Sequence, residues 1–551
     1  MFVRTKKSPN TPKTAVQIVE NYRVDNKVKQ KIIRHVGSAT KEKDIENLQN
    51  LAQYIIVRME VEESPQLSFF TAEELLKIII ESRKKKQQAQ HLVDINNLRE
   101  EKRVTVGIHE VFGQIYKDIG YDKVFKNPSR QVAASKKLFN IVMARLANPS
   151  SKRSSVLELE KKFGTSLQLD GVYKMMDKID DQVIEKIKDI TFQDTQKLLN
   201  NDINVVFYDT TTLYFESFVE DDLKQKGYSK DMKFNQGQVL LAILVSNDGL
   251  PLGYELYPGS TYEGSTLAES VEKIKNKYKV GKVSFVADSG LFNAANIKFM
   301  EENGYDYIVG ARIKNMSKSI QQEILDIESY SELSEDLKYR NLEDKDKRLI
   351  VTRSRKRAKK DRYDREEAVA KLLKKISANA KADSLISNYG YKKYLNIDGN
   401  STVTVNEEKI RAAEKWDGIH GIITNIKDQP AEQLLAYYKR LWQVEETFRI
   451  SKTDLKIRPI YHYSEQRIKA HIAICFMALA CARNLEYRVK NIYQKLSYKR
   501  IRDELLSVQV SILADSSSGK NFCIPSQISE VAYRIYRTVG IKIDTTPFEL
   551  V

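Results

Sequence analysis

Two strand-like stretches, Asn204-Val205-Val206-Phe207-Tyr208-Asp209 and Val283-Ser284-Phe285-Val286-Ala287-Asp288, decide the fold of this chain. Each is a short apolar run that ends in an aspartate, and a helical pattern follows the second run. Units of this kind build a mixed sheet with flanking helices. Because ligands gather at the carboxyl ends of strands in open α/β sheets, Asp209 and Asp288 are expected at a functional edge.

A third carboxylate lies far along the chain, in Tyr437-Tyr438-Lys439-Arg440-Leu441-Trp442-Gln443-Val444-Glu445-Glu446. Tyr438 comes seven residues before Glu445, and Lys452 comes seven residues after it. On a regular α-helix, seven residues return to within about 20° of the starting direction. The pattern therefore predicts a phenol, a carboxylate and an ammonium on one helix face. A solvated stripe of common residues is the alternative interpretation.

Asp209, Asp288 and Glu445 together indicate a site for divalent cations. Mg²⁺ is a hard ion that prefers oxygen ligands and keeps several waters. Two cations roughly 3.5–4 Å apart can activate a nucleophile and stabilise the leaving oxygen of a phosphodiester displacement. The three carboxylates therefore predict an enzyme that cuts or joins nucleic acid, with two Mg²⁺ or Mn²⁺ ions in each active site.

The composition is compatible with this chemistry. The net charge of +17 favours a polyanionic partner, although a merely basic soluble protein is the alternative. Three cysteines without a CxxC pair argue against a zinc knuckle or a disulfide framework. The N-terminus lacks the apolar stretch of a signal peptide, and the apolar run 472–481 is too short to span a bilayer. We therefore expect a soluble cytoplasmic protein without a membrane partner.

The residues resemble a known family from about 105 to 490. Tyr438, Glu445 and Lys452 match the helix signature Tyr-x2-Arg-x3-Glu-x6-Lys of DDE transposases of the bacterial insertion-sequence type. Other stretches that resemble this family are Tyr208–Thr211, Gly227–Asp231, Gly249–Glu255, Val286–Gly290, Phe448–Lys452 and Arg458–His462.

The resemblance implies a fold, an activity and partners. It implies an RNase H-like catalytic domain in which Asp209, Asp288 and Glu445 bind the metal ions and catalyse the reaction. The enzyme would bind terminal inverted repeats, cut there with activated water, and use the freed 3′-hydroxyl to attack target DNA. A homodimer on double-stranded DNA is expected, because two ends must be joined in one complex. The protein would then lie in the cytoplasm at the nucleoid.

Two positions depart from the family pattern. Leu441 stands where the signature has arginine, and Arg440 lies one residue away, which is about 100° of rotation on a regular helix. Arg449, one turn past Glu445, is the expected substitute, with Arg440 as the other candidate for a DNA contact. The second departure is Ser289, where many relatives carry arginine, so a phosphate contact is expected to be missing there.

Other residues carry weaker expectations. In related enzymes an aromatic residue of the β insertion holds a flipped base near a DNA hairpin, and Trp416 is the candidate here, although a structural core role is the alternative. Trp442 is expected to pack its helix against the sheet. The run Arg353–Arg365 has eight Lys or Arg residues and two Asp. It is interpreted as a phosphate contact, with a solvated loop as the alternative.

The expected class is α/β: an RNase H-like mixed sheet with flanking helices, a β-rich insertion, a small N-terminal β unit and a helical region. We expect six segments: 1–100, a β hairpin with helices that binds DNA; 101–202, helical; 203–314, the first part of the catalytic core; 315–430, the insertion; 431–495, the second part of the core; and 496–551, the C-terminal region.

Two other functions stay open at this stage. One is a nuclease of the same catalytic fold that acts on another DNA or RNA, and strand transfer from a pre-cut end would discriminate it. The other is a non-enzymatic DNA-binding protein descended from a transposase, which fold alone does not exclude. The complete carboxylate triad and the nearby Lys452 argue against the second possibility.

Overall fold

The structure is a computed structural model. It describes residues 1–7, 13–24, 27–42, 44, 45, 48, 49, 52, 55, 56, 93–127, 131–215, 219–227, 235–278, 284–288, 293–344, 347–377, 394–397, 403–543 and 545–550. Ser289, the motif residues 228–231 and most of the helical region expected between 41 and 100 lie outside these ranges. The described chain forms two compact units. The split unit is Met1–Asp194 with Arg449–Val551, and the central unit is Thr195–Phe448. The six expected segment boundaries stay a prediction.

The strands have the following bounds. They are β1 (Phe2–Lys7), β2 (Thr14–Val24), β3 (Lys27–Ala39), β4 (Leu98–Thr105), β5 (Val205–Tyr214), β6 (Gln238–Ser246), β7 (Pro251–Pro258), β8 (Ser284–Ala287), β9 (Asp306–Gly310), β10 (Ser331–Ser334), β11 (Leu337–Asp344), β12 (Lys347–Ser354), β13 (Leu395–Ile397), β14 (Val403–Val405), β15 (Ile419–Thr424), β16 (Gln509–Asp515), β17 (Asn521–Pro525) and β18 (Phe548–Leu550).

The helices are numbered in the same way. They are α1 (Gly107–Ile119), α2 (Val132–Ala147), α3 (Lys152–Phe163), α4 (Leu169–Met176), α5 (Asp181–Leu198), α6 (Thr266–Tyr278), α7 (Ala294–Glu302), α8 (Lys318–Leu325), α9 (Arg355–Ser377), α10 (Glu407–Glu414), α11 (Ala431–Lys439), α12 (Trp442–Arg449), α13 (Glu465–Ile492), α14 (Tyr498–Ser507) and α15 (Glu530–Thr538). A π-helical turn covers Ile450–Asp454.

The central unit is built on one mixed sheet. Its strand order is β10-β11-β12-β15-β9-β8-β5-β6-β7. β5, β8 and β9 run parallel to one another, and β6 and β7 continue antiparallel from β5. Every residue of β6 is buried, as expected for an apolar strand inside a sheet that is covered on both faces. The expected α/β class with its RNase H-like mixed sheet is confirmed.

The β-rich insertion adds to this same sheet. β15 pairs with β9, and β12, β11 and β10 follow in antiparallel order. Their inner side chains form a core with Ile324 of α8, and this core includes Leu349, Val351 and Ile419. Within the same segment the basic run forms the start of α9. The insertion is therefore an extension of the catalytic sheet on the β9 side.

The split unit combines helices with two antiparallel sheets. β1, β2 and β3 form the N-terminal sheet, and β18-β17-β16-β4 form the second. β4 lies in a region that the sequence indicated as helical, so that expectation is wrong at Leu98–Thr105. α13 is long and apolar enough to cross a membrane by length and composition, which the short run 472–481 did not suggest. Its apolar window is 94% buried inside the structure, as in the core helix of a soluble protein.

A buried carboxyl group joins two helices of the split unit. Tyr536 of α15 donates a hydrogen bond from Oη to Glu110 Oε2 on α1. Both residues are buried, and Glu110 Oε1 has no hydrogen-bond partner among the described residues. Burial raises the pKa of Glu110 from 4.5 to about 7, and the bond from Tyr536 only partly opposes this shift. Between pH 4.5 and about 7, the Glu110 carboxyl is therefore protonated in the folded protein, whereas the same group is ionised in the unfolded chain.

We expect Glu110→Gln to stabilise the split unit at pH 8. Because the folded pKa is raised, wild-type stability falls as the pH rises from 4.5 through about 7. The amide escapes this loss, which is about 3 kcal/mol at most. Melting temperatures of both proteins at pH 5 and pH 8 measure the effect. An equal pH dependence in the two proteins would contradict the assignment.

Candidate active site

Strand pairing brings the two aspartates side by side. In the parallel ladder of β5 and β8, Phe207 lies opposite Val286. Asp209 and Asp288 each come two residues after this pair, so they occupy equivalent positions along the two neighbouring strands. Neighbouring strands of a sheet lie about 4.8 Å apart. Asp209 is partly exposed and Asp288 is exposed. Asp209 Oδ1 also accepts a hydrogen bond of 2.7 Å from the Thr210 backbone N–H.

Asp209 does not end its strand, which corrects the sequence-based expectation. β5 continues to Tyr214 and stays paired with β6, where Asp209 lies opposite Ile243. The three threonines after Asp209 are β-branched, and they suit a buried strand better than a turn. Asp288, in contrast, follows the last residue of β8 directly. The functional edge is thus the carboxyl end of β8 beside the middle of β5.

The signature segment, which runs from Tyr438 to Lys452, is not one regular helix. α11 ends at Lys439 and α12 begins at Trp442. Between them the backbone N–H groups of Arg440 and Leu441 donate to the carbonyls three residues earlier, at 3.0 Å each. The π-helical turn after α12 changes the period again. The prediction that Tyr438, Glu445 and Lys452 share one face assumed a regular α-helix through all three residues, and that assumption is wrong.

Tyr438 is nevertheless close to two of the predicted carboxylates. Burial raises the pKa of Tyr438 to about 12, and the negative charges of Asp288 and Glu445 act in the same direction, while Arg357 opposes them. The rings of Tyr438 and His420 have centroids 5.5 Å apart. Burial lowers the pKa of His420, and the charge of Arg357 lowers it further, while Asp288 opposes both. At neutral pH the site thus holds a neutral phenol, a neutral imidazole and a guanidinium.

The carboxylates have the donor chemistry of a divalent metal site. Aspartate and glutamate oxygens are the ligands that Mg²⁺ and Mn²⁺ take in proteins. Within the described ranges, however, no three His, Cys, Asp or Glu side chains are close enough together to hold a metal ion. The structure pairs Asp209 with Asp288 by register and brings Asp288 and Glu445 near Tyr438. It does not assemble all three as one ligand set.

The cationic residues of the signature segment have different surroundings. Arg440 is exposed at the interruption between α11 and α12. Arg449 and Lys452 belong to the split unit, where Arg449 Nη1 forms an ion pair of 3.0 Å with Asp454. The Arg449 side chain is about half exposed. Lys452 lies in the π-helical turn. Their DNA-contact roles stay predictions.

A buried polar cluster of the split unit holds the segment that follows Lys452. Arg145 Nη1 donates to the carbonyls of Leu455 and Lys456, at 3.3 and 3.1 Å. His471 Nε2 lies 3.1 Å from the carbonyl of Ile457, and its Nδ1 lies 3.1 Å from Lys152 Nζ. Because Nε2 faces a carbonyl, it carries the ring proton. His471 therefore has a structural role.

Trp416 lies at a cavity of about 640 Å³ in the central unit. Its ring packs against the core of the insertion, and Lys314 Nζ lies 5.7 Å from the ring centroid. Arg357 and His420 line the same cavity. Trp416 thus has a packing role and also borders a space next to the aspartate edge. Trp442 is 42% exposed, so the expectation that it packs α12 against the sheet is wrong.

The basic run Arg353–Arg365 divides into two kinds of residue. Arg365 is buried and forms ion pairs with Asp417 and, at 3.5 Å, with Glu414. It therefore has a structural role. Arg357 is exposed and has a weaker ion pair with Asp361, at 3.9 Å. Only the exposed members of the run are available to a phosphate.

Arg357 and His420 are the site residues that sequence reasoning missed. Arg357 is one of eight basic residues in its run, and His420 stands in the apolar stretch Ile419-His420-Gly421-Ile422-Ile423. A histidine inside the apolar run of β15 was the available signal. Arg357 carried no signal of its own, because only the pairing of β12 with β15 brings the start of α9 to this edge.

Comparisons with solved structures give weak similarities. A cryo-EM structure of a piggyBac transposase synaptic complex with hairpin DNA has 9% sequence identity and a TM-score of 0.38, covering 73% of this chain and 78% of that one. A Mos1 transposase paired-end complex with the left transposon end has 13% identity and a TM-score of 0.14, covering 34% of this chain and 58% of that one. Scores this low support no conclusion about this chain. No curated protein matches the sequence.

Family models give the decisive comparison. Residues 2–64 match the N-terminal domain of the IS1634 family transposases. Residues 200–481, more than half of the chain, match the transposase DDE domain, and this range contains Asp209, Asp288 and Glu445. The chain therefore belongs to the DDE transposase family.

Proposed function

We propose that this transposase cuts and joins DNA at a site formed by Asp209, Asp288 and Glu445, with two divalent ions. The observation that carries the assignment is the register of β5 and β8, which puts Asp209 and Asp288 in equivalent positions. The family depends in general on a divalent metal ion. When bound by these carboxylates, Mg²⁺ or Mn²⁺ supplies activation of the attacking oxygen and stabilisation of the leaving oxygen.

The neutral and cationic side chains around the carboxylates have complementary roles. Tyr438 keeps its proton at neutral pH because its pKa is about 12, so its phenol donates a hydrogen bond to a phosphate oxygen. The Tyr438 ring packs against His420, which orients it. Arg357 supplies a planar guanidinium that suits bidentate contact with phosphate. These residues hold the phosphate without adding negative charge beside the carboxylates.

Further contacts serve the binding of the DNA. We assign phosphate contacts to Lys452, Arg449 and Arg440, and contact with an unpaired base to Trp416. The DNA consists of the terminal inverted repeats and then the target, and the active form is a homodimer that holds two ends. The site thereby acts first with water and then with the freed 3′-hydroxyl as nucleophile.

Removal of any one carboxylate should abolish cutting and spare end binding. Asp209→Asn, Asp288→Asn and Glu445→Gln each remove a charged oxygen ligand, while phosphate contacts elsewhere supply most of the affinity. Cleavage of a labelled end duplex with Mg²⁺ and gel-shift binding measure the two properties. Glu446→Gln is the matched control. A Glu445→Gln protein that cuts at the wild-type rate would exclude Glu445.

Lys452→Ala should weaken end binding and lower its salt dependence. Loss of one phosphate contact reduces the slope of log affinity against log salt by about one unit. Binding isotherms at several salt concentrations give this slope. Lys298→Ala is the control, because Lys298 is exposed on α7 and pairs with Glu302 at 3.5 Å. An unchanged slope in Lys452→Ala would favour the solvated-stripe interpretation.

Arg357→Gln should slow cleavage roughly tenfold to a hundredfold, as expected for one charge-assisted hydrogen bond worth about 1.5–3 kcal/mol. It should also raise the pKa of His420, because the charge of Arg357 lowers it. Cleavage rates and an NMR titration of His420 measure the two effects. Arg362→Gln, exposed on the same helix, is the control. If Arg357→Gln raises the pKa of His420 but cleaves at the wild-type rate, Arg357 lies near His420 but does not contribute to catalysis.

A further inference from the structure

Helix α9 has a buried side and an exposed side. Arg365 and Leu372 are buried, and they are seven residues apart, so they lie on the same side of the helix. The opposite side is exposed to solvent, and Tyr363 on it is 62% exposed. Between residues 356 and 363, the exposed residues within about 60° of the Lys356 direction are Lys356, Lys359, Lys360 and Tyr363. We call these four residues the basic ridge.

The buried side of α9 fixes the position of the basic ridge. Arg365 forms an ion pair with Asp417, and Asp361 Oδ2 accepts a hydrogen bond of 2.9 Å from the Gly418 backbone N–H. Gly418 has a φ angle of +74°, and a Cβ atom there would meet the Ser354 carbonyl oxygen at 2.4 Å. The start of α9 is therefore held closely against the segment that precedes β15.

The stability of the fold does not explain the lysines of the basic ridge. In the described part of the chain, no ion pair involves any of these three lysines. Asp336 Oδ1 caps the helix by accepting a hydrogen bond of 2.9 Å from the Lys356 backbone N–H, but the first turn itself contains no acidic residue. Cations are disfavoured at the positive end of the helix dipole, and Lys356 and Lys360 repel each other at a spacing of four residues. A polyanion bound at the ridge would remove this repulsion.

The basic ridge begins beside the candidate active site. Arg357 is rotated about 100° from Lys356 around the helix, and it lines the same cavity as His420. Besides burial, the charge of Arg357 lowers the pKa of His420. From Lys356 to Tyr363 the helix rises about 10 Å, which corresponds to about three base-pair steps of B-DNA. A duplex with one phosphate at Arg357 therefore has room to lie along the ridge.

The chemistry of the basic ridge suits binding without sequence preference. A lysine ammonium is a point charge on a flexible stem, and a tyrosine hydroxyl also forms hydrogen bonds with phosphate. The ridge contains no Arg, Asn or Gln, which are the residues that form bidentate hydrogen bonds with guanine and adenine. Contacts with phosphates position a duplex but carry no sequence information. The ridge therefore fits a duplex whose sequence varies from one event to the next.

Two duplexes of variable sequence meet the site of a transposase, namely the DNA that flanks the element before cutting and the target DNA. The flanking DNA is covalently joined to the element's end, so binding of the end already brings it to the site at a high effective concentration. The target is a separate molecule, and only its own contacts with the protein hold it. Additional affinity without sequence preference is therefore needed for the target.

We propose that the basic ridge binds the phosphate backbone of the target DNA during strand transfer. This inference rests on the proposed function, because it takes strand transfer as the reaction. It separates target binding by the insertion from the contacts with the DNA that are assigned to Lys452, Arg449 and Arg440.

Strand transfer by the full-length chain tests the proposal. The chain is loaded with pre-cut duplexes from the terminus of the element that encodes it, and joining to a supercoiled plasmid with Mg²⁺ is measured at several plasmid concentrations. The double substitution Lys359→Gln and Lys360→Gln removes two phosphate contacts. It should raise the KM for plasmid about tenfold, change the maximal rate less than about twofold, and lower the slope of log KM against log salt by about two units. An unchanged KM would overturn the proposal.

Arg362→Gln is the matched control. Arg362 is exposed on the same helix but lies about 120° from the Lys356 direction. Lys360→Gln alone should raise the KM for plasmid about threefold, whereas Arg362→Gln should change it less than about twofold. Equal effects of the two single substitutions would show a dependence on net charge alone and would contradict the assignment of the ridge.

Cleavage of an uncut end duplex that carries flanking DNA distinguishes the other possible partners. The double variant should bind the pre-cut end and cut the uncut duplex within about twofold of wild type, because the ridge contacts neither DNA. A loss of cleavage as large as the loss of strand transfer would mean that the ridge binds the flanking DNA. Weaker binding of the pre-cut end would mean that it binds the element. Either result would overturn the proposal.

The melting temperature of the double variant gives a structural control. It should equal or exceed that of wild type, because the substitutions remove repulsion near the positive end of the helix. A lower melting temperature would give the lysines a structural role and would also overturn the proposal.

Failure of this inference is distinguishable from failure of the proposed function. If the proposed function is wrong, the wild-type chain neither cuts the uncut duplex nor joins pre-cut ends to the plasmid with Mg²⁺, and the inference falls with it. If only the inference is wrong, the wild-type chain does both, and the double variant has the same KM for plasmid.

Discussion

The parallel pairing of β5 with β8 is the constraint on which the central unit depends. Phe207 and Val286 are buried opposite each other in this ladder, and the apolar contacts of both strands fix the register. A slip of one residue would turn every following side chain to the other face of the sheet. It would also move Asp288 along the strand by about 3.3 Å relative to Asp209. Core packing and site geometry are therefore set by the same pairing.

The β-rich insertion contributes side chains to the site at the carboxyl end of β8, so it is more than an addition to the catalytic domain. Its strands continue the sheet beyond β9, and the pairing of β12 with β15 brings Arg357 and His420 toward Tyr438. Asp288 and Glu445 put negative charge near the Tyr438 phenol, which disfavours its ionisation. Arg357 is the opposing charge. The electrostatic balance at the edge therefore depends on residues that are far apart in sequence.

Sequence reasoning predicted the parts of the fold that local patterns determine. The apolar runs before Asp209 and Asp288 and the helices between 105 and 200 have strong periodic signals, and the structure has them at those places. The continuation of β5 past Asp209 depends on its long-range pairing with β6. The interruption at Arg440 and Leu441 has no Gly or Pro to mark it, so a regular helix was the natural expectation. The approach of Arg357 to Tyr438 is a tertiary effect that no local pattern contains.

The positive charge of the chain also needs a structural interpretation. A net charge of +17 indicates a polyanionic partner, yet it does not say which cations meet that partner. Arg365 is buried and neutralised by Asp417, and Arg145 donates to the backbone of the segment after Lys452, so both have structural roles. Arg4, in contrast, is held by uncharged amides, which orient the guanidinium without cancelling its charge. A buried arginine paired with a carboxylate, such as Arg365, has much less attraction left for a phosphate or a base than a solvent-accessible arginine. The partners of each arginine therefore determine which basic residues are available to DNA, and the number of basic residues does not.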